Sequence, residues 1–557
     1  MSVGAGQLPE REASVDAALP PPTSVSALLD AAVARFPSAP ALDFMGRRWT
    51  YAALGRLVER AACGLQRIGV VKGTRVGLCL PNTPYSVILY FAALKAGAVV
   101  VNYNPLYVER ELLTQMRDSG TIIMAVPNLP AIHGKVARVA AEAGLTRIIV
   151  CPIAAVLPPL RRLAYHVIRW RERVHAGPLD LTFVQLIAGD APPTPVAIDP
   201  ERDVAVLQYT GGTTGVPKGA MLTHANLTAN SAQVIVHAAT LQPGRERILG
   251  VLPLFHVFAM TCVMNCGIAL GAELVLLPRF EIRQLMRTIA RTRPSVFPAV
   301  PTIYGAINTA AEHMRIDLTS IRYCTSGGAP LPAEVAQRFE QLTGGSLTEG
   351  YGLSETSPVV SFTPPGRDRK PGSVGPAVPG TVIEIRDPSD PSWRLGVGEK
   401  GEICIRGPQV MQGYWNRPEV TREAFFEGAL RTGDIGYLDA DNYLFLIDRI
   451  KDVILCGGYN VYPRVLEEAL YQHEAVAEAV VIGIPDPYRG QSPKAFVTLR
   501  AGRSVSPEAL REFLKDYVSP IELPKEIEIR ASLAKTMIGK LSKKALEDEQ
   551  APKGDRA

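Results

Sequence analysis

Between Val204 and Leu227 the chain reads VAVLQYTGGTTGVPKGAMLTHANL: an apolar run, a loop crowded with glycine and threonine, a second short apolar run and the start of a helical pattern. Gly211, Gly212, Gly215 and Gly219 do not build a core. Glycine lets a backbone take positive φ and approach a ligand closely, so that successive amides can converge on an anion. Thr210, Thr213 and Thr214 add hydroxyl donors and Lys218 adds a point charge, a set suited to a polyphosphate such as ATP. The string is not a GxxxxGK[ST] loop, because Pro217 precedes Lys218 and Gly219 follows it. For these residues alone, a plain glycine-rich hairpin is the competing reading.

At 557 residues the chain is too long for one ordinary domain, and 47% hydrophobic with 20% charged residues fits a soluble, folded protein with large cores. A net charge of +5 gives no case for a nucleic-acid partner. The eight cysteines are scattered, with no paired Cys/His set for zinc. Reduced thiols in a cytoplasmic protein are the expectation. Residues 1–23 lack the basic and apolar regions of a signal peptide and read as a disordered leader, as does the tail 548–557.

From Ser24 onward, helical and strand patterns alternate: a helical face at Leu28, Leu29, Ala32 and Val33, a strand over 74–80, a helix over 84–98, a strand over 99–101 and a helix over 109–118. This is the α/β rhythm of parallel strands with crossover helices. Between Arg247 and Glu273 no charged residue occurs, enough to cross a bilayer, but Pro253, His256 and Asn265 interrupt the run and favour a buried strand and helix. Residues 156–175 place Leu160, Leu163, Ala164, Val167 and Ile168 at helical spacing, opposite Arg161, Arg162, Arg169 and Arg173, with Trp170. Such a helix packs on its own domain or lies on an anionic membrane surface.

Two later strings carry chemistry. In EGYGLSETSP, Tyr351 stands between glycines and suits stacking on a base. Ser354 can bind a phosphate and Glu355 offers the hard oxygen that Mg²⁺ prefers. In RTGDIG, Asp434 reads as a turn former.

YTGGTTGVPKG, SGGAPLP, EGYGLSETSP, RTGDIG, DRIKDVILCGGYNVYP and LAKTMIGKLSKKAL occur in the order of the adenylate-forming superfamily of acyl-CoA synthetases, luciferases and peptide-synthetase adenylation domains. Together with LPNTPYSVILYFAALKAGAVVVNYNPLY, they most resemble a bacterial medium- to long-chain fatty acyl-CoA synthetase over about residues 24–547. The resemblance implies an α/β fold, with a large N-terminal AMP-binding domain of parallel-rich sheets (24–450) and a small mobile α+β C-terminal domain (451–547).

It further implies ATP phosphate binding by Thr210, Gly211, Gly212, Thr213, Thr214, Gly215 and Lys218, and AMP binding by Gly328, Ala329, Pro330, Glu349, Gly350, Tyr351, Gly352 and Ser354. Asp434 and Arg449 would hold the ribose, Glu355 a magnesium ion, and Lys451 the hinge. Gly457 and Gly458 would line the CoA tunnel, and His256 and Tyr304 the acyl pocket, Tyr304 as a gate. Lys540 is the catalytic lysine by the same resemblance, although Ala534 stands where the family motif has proline. The implied reaction joins a fatty acid to CoA through an acyl-AMP. A ligase delivering to a carrier protein, a ligase for an aromatic acid, a luciferase-like oxidase and a non-catalytic sensor are the rivals. Fatty acid, ATP and CoA are the expected partners, with peripheral membrane association and a homodimer both compatible.

Overall fold

The computed structural model describes residues 19–168, 177–210, 217–457, 459–500, 502–535 and 541–550. Helix Pro84–Lys95 explains the large domain's layering. Its residues 84–94 are all buried, and a helix apolar on every side must be covered on every side. Two eight-stranded sheets are organised around that layer. One contains the parallel strands Arg75–Leu78, Val99–Asn102, Ile123–Pro127 and Val204–Thr210. The other contains the parallel strands Arg247–Gly250, Val296–Ala299, Tyr323–Gly327 and Ser346–Gly352. One continuous apolar cluster joins Val76 and Val206 of the first sheet to Phe91 of the buried helix and to Ile248 and Phe297 of the second.

Local chemistry sets the element ends. Ser24 and Thr50 accept hydrogen bonds from Ala27 and Ala53 and open helices Val25–Arg35 and Tyr51–Arg67. Gly120, with φ of 65°, closes helix Glu109–Ser119 in the left-handed region. The uncharged span after Arg247 is a buried strand followed by helical turns Val257–Ala259, Met260–Asn265 and Cys266–Ala269, the middle one a π-helix. No helix among the described residues is long and apolar enough to cross a membrane.

A third, five-stranded antiparallel sheet contains Ala429–Leu438 and Leu444–Arg449. The chain then passes through the short turn Ile450–Asp452 into a fourth sheet, formed by Ile454–Cys456, Tyr459–Val461, Val476–Asp486, Gly490–Leu499 and Glu526–Ile529. This sheet has its own apolar core, with Leu466 and Leu470 of helix Pro463–Tyr471 packed on Ile454, Val481 and Val497.

Two expectations are corrected. Residues 548–550 do not belong to a disordered tail: they complete helix Lys543–Gln550, where Glu549 pairs with Arg530 at 2.7 Å. Thr23, expected in the disordered leader, is also held: its carbonyl accepts from the Thr228 hydroxyl. Of the two readings left open for the segment around helix Pro159–Ile168, the exposed surface one is favoured, since its apolar stripe is not buried: Leu160 is 84% and Leu163 and Val167 each 66% exposed.

Candidate active site

The carboxyl ends of parallel strands are where an open α/β sheet leaves a crevice. Here Thr210, Pro298, Gly327 and Tyr351, all at such ends, border a cavity of about 610 Å³. Its wall is polar at Lys218, Glu355, Arg431 and Arg449 and apolar at Val234, Leu241, Leu270 and Phe362. A larger cavity of about 1250 Å³ separates the two domains.

Thr210 and Lys218 face each other across antiparallel strands, so the glycine-rich segment is the connection of a hairpin. Gly211, Gly212, Thr213, Thr214 and Gly215 lie outside the described residues, as do Gly458, Lys540, Arg169, Trp170 and Arg173. Lys218 sits 5.6 Å above the Tyr414 ring, and the Tyr414 hydroxyl donates to Glu355 Oε1 at 2.8 Å. Glu355 is carried by the turn Ser354–Thr356, which also brings Ser354 to the cavity.

The next wall is Gly350–Tyr351–Gly352. A Cβ on Gly352 would lie 2.0 Å from the Pro358 carbonyl oxygen, so glycine is demanded there by backbone packing. The Tyr351 hydroxyl donates to Asp434 Oδ2 at 2.7 Å, and Arg449 Nε lies 3.1 Å from Asp434 Oδ1. Burial pushes the Asp434 carboxyl above the usual range, opposed by Arg449 and the Tyr351 hydroxyl. Three residues far apart in sequence thus form one rigid unit.

Gly328 borders both cavities, whereas Ala329 and Pro330 border only the interdomain one. Glu349 borders neither. Its carboxylate accepts from the Leu331 amide and faces Arg464, and burial pushes its pKa up to about 7. Its side chain thus turns to the domain boundary, as a buried carboxylate turns to the donors available.

His256 borders the cavity and caps the turn Val257–Ala259, its Nδ1 accepting from the Phe258 amide at 3.3 Å. The loop before it is pinned by Asn82, which donates to the carbonyls of Gly250 and Leu252 and accepts from the Leu254 amide. Cys262 on the π-helical stretch and Cys266 at the start of the turn that follows it line the cavity. Burial pushes both thiols up, Cys266 to about 12, which keeps them neutral and apolar in character.

Tyr304 is not at the cavity wall. It is fully buried, edge-on to Phe297 and Phe339, with its hydroxyl donating to the Phe297 carbonyl at 2.6 Å. The expectation of a gate is corrected: a phenol satisfied inside a packed aromatic cluster has no opening to close, and Val300 and Pro298 form the wall in front of it.

Lys451 borders both cavities, 3.8 Å from Asp452, at the turn joining the domains. Gly457, with φ of 59°, turns the hairpin between Cys456 and Tyr459 and borders neither cavity. Sequence reasoning missed Tyr414, which is brought to the cavity by strand pairing, and gave no role to Arg431 and Thr432, the first two residues of RTGDIG, which also line it.

The family model for "AMP-binding enzyme" matches residues 29–415, and that for "AMP-binding enzyme C-terminal domain" matches residues 465–540. The chain is 42% identical over 542 residues to a long-chain-fatty-acid–CoA ligase of Bacillus subtilis (strain 168), covering 96% of this chain and 95% of that one. It is 36% identical over 555 residues to the ligase of the same description from Salmonella typhimurium, covering 96% and 95%. Among solved structures, ATP-bound MatB from Rhodopseudomonas palustris superposes with a TM-score of 0.82 at 27% identity, over 95% of this chain and 99% of that one.

Proposed function

The chain belongs to the AMP-binding enzyme family, and from that membership we propose that it is an acid–thiol ligase of the long-chain fatty acid–CoA type. The observation that carries this reading is one cavity lined both by the charged Lys218 and Glu355 and by apolar side chains such as Val234, Leu241 and Leu270. An amphiphilic acid and a nucleotide can meet in it with the carboxylate near His256.

In the proposed reaction a carboxylate oxygen of a medium- or long-chain acid attacks the α-phosphorus of ATP. The bond to the bridging oxygen breaks and pyrophosphate leaves. The CoA sulfur, having lost its proton, then attacks the acyl carbon, and the acyl–oxygen bond breaks to release AMP. We assign the pyrophosphate to the glycine-rich loop (Thr210, Gly211, Gly212, Thr213, Thr214, Gly215) with Lys218. Tyr351 and its glycine neighbours take the adenine, Ser354 the α-phosphate, and the Asp434–Arg449 pair the ribose. Lys540 acts in the first step, and rotation about Lys451 presents Gly457 and Gly458 to CoA for the second.

Among the described residues no cluster of three His, Cys, Asp or Glu could hold a metal. Glu355, a cavity-lining carboxylate beside Lys218 and Tyr414, is a hard oxygen ligand of the kind Mg²⁺ takes, with the remaining ligands from phosphate and water. When bound, the ion would offset charge on the departing pyrophosphate.

A panel of acids from acetate through palmitate to aromatic acids, assayed for AMP release with CoA, tests the function. Medium or long chains should be preferred; consumption of a carrier protein in place of free CoA would overturn it. Lys540→Ala should abolish acid-dependent pyrophosphate exchange while sparing thioester formation from supplied acyl-AMP.

The exposed stripe of Leu160, Leu163 and Val167 beside exposed Arg161 and Arg162 supports peripheral attachment to an anionic membrane, where fatty acids partition. Co-sedimentation with anionic liposomes should fall with salt and on replacing Arg161 and Arg162 with Gln.

A further inference from the structure

Tyr414 occupies a two-residue strand, Gly413–Tyr414, added to the outer edge of strand Lys218–Thr223. Its backbone is held on several sides. The Gln412 and Trp415 amides donate to the carbonyls of Met221 and Gly219, and the Tyr414 amide donates to the Thr421 hydroxyl. The Met411 amide donates to the Glu355 carbonyl at 2.8 Å, tying the Glu355 turn to the same segment. Behind it, Asp118 accepts from Arg417 at 2.6 Å and from the Tyr209 hydroxyl at 2.6 Å, while its carbonyl accepts from the Trp415 indole at 3.1 Å. The segment thus joins both arms of the glycine hairpin to the turn that bears Glu355.

The side chain serves both charged groups at this end of the cavity. Its hydroxyl commits Glu355 Oε1, which fixes the orientation of the second carboxylate oxygen. Its ring stands 5.6 Å from the Lys218 ammonium, within the range of a cation–π contact. Lys218 and Glu355 form no ion pair with each other within 4.0 Å among the described residues. An aromatic ring that engages the cation by its face and the anion by its hydroxyl keeps the two from neutralising each other.

We propose that Tyr414 is a positioning residue for the phosphate end of the site, presenting Glu355 to a phosphate-bound divalent cation and Lys218 to the phosphates as separate charges. This rests on the ligase reading above. Tyr414→Phe removes the hydroxyl and keeps the ring; Tyr414→Leu removes both. Binding is read without turnover, by calorimetry with ATP in EDTA and by the spin-resonance signal of Mn²⁺ titrated with ATP.

Tyr414→Phe should weaken Mn²⁺–ATP binding about tenfold and leave ATP binding in EDTA unchanged, because the ring still holds Lys218. Tyr414→Leu should weaken both. Unfolding temperatures near that of the parent chain accompany this outcome for the Phe variant, which conserves the packed ring. Parent-like Mn²⁺–ATP binding by Tyr414→Phe overturns the proposal, as does equal weakening with and without the metal. If the parent chain binds Mn²⁺–ATP but releases AMP from no acid with CoA, the ligase reading fails while the binding comparison still decides the role of Tyr414.

Discussion

Arg464 reaches over the domain boundary to Glu349, its Nη2 standing 3.6 Å from Oε1. Glu349 immediately precedes Gly350 and Tyr351 of the cavity wall, and Arg464 lies in the first turn of the first helix of the C-terminal domain, where its Nε also pairs with Glu468 at 2.8 Å. The contact couples the position of the small domain to the strand that bears the site.

The pair predicts a pH dependence of stability. Burial raises the Glu349 pKa from 4.5 to about 7, with Arg464 and the Leu331 amide opposing and Glu468 reinforcing the rise. The folded protein therefore holds this proton more tightly than the unfolded chain. Its contribution to stability is complete below 4.5 and lost as pH rises through about 7. Thermal unfolding of the parent chain should fall more between about pH 5 and pH 8 than that of Glu349→Gln, each tenfold change in proton affinity being worth about 1.4 kcal/mol. Parallel pH curves for the two proteins would contradict the assignment.

Asp434 is the acceptor of both Tyr351 and Arg449. Asp434→Ala leaves a phenol and a guanidinium at the cavity wall, where the nucleotide is proposed to bind, without their shared partner. A loss of about 2 kcal/mol is expected, seen as a roughly thirtyfold rise in the KM for ATP with a smaller change in kcat. Steady-state kinetics at saturating acid and CoA measure it.

Gly352 has no room for a methyl group, since the nearest atoms are the carbonyl oxygen and carbon of Pro358 at 2.0 and 2.8 Å, both backbone. Gly352→Ala should displace the Tyr351–Glu355 segment and lower activity by about tenfold or more, with weaker nucleotide binding. Gly305 is the control: a Cβ there meets nothing within 4 Å, and Gly305→Ala should behave as the parent.

Cys262 stands in the cavity wall. Cys262→Phe adds bulk where an acyl chain is proposed to run and should shift preference toward shorter acids, with kcat/KM for palmitate falling about tenfold and that for shorter acids changing little. Cys262→Ala should keep the long-chain preference. A uniform loss over the acid series would place the chain elsewhere.

The sequence by itself determined whatever adjacent residues can state. The hairpin between Val204–Thr210 and Lys218–Thr223, the buried helix after Pro84 and the Gly350–Tyr351–Gly352 wall depend on local φ, caps and apolar period, and they were legible as written. The tertiary structure decided which side chains meet. Tyr414 reaches Glu355 across 59 residues only because its short strand pairs in register with Lys218–Thr223. Glu349 faces Arg464 only because the second domain packs against the first. Tyr304 lies in an aromatic core, and Leu160 and Leu163 lie outside one, for reasons that no local pattern carries. A strand displaced by one residue turns every side chain to the other face. Register and packing, which the whole chain settles together, therefore decide partnerships that spacing along the sequence leaves open.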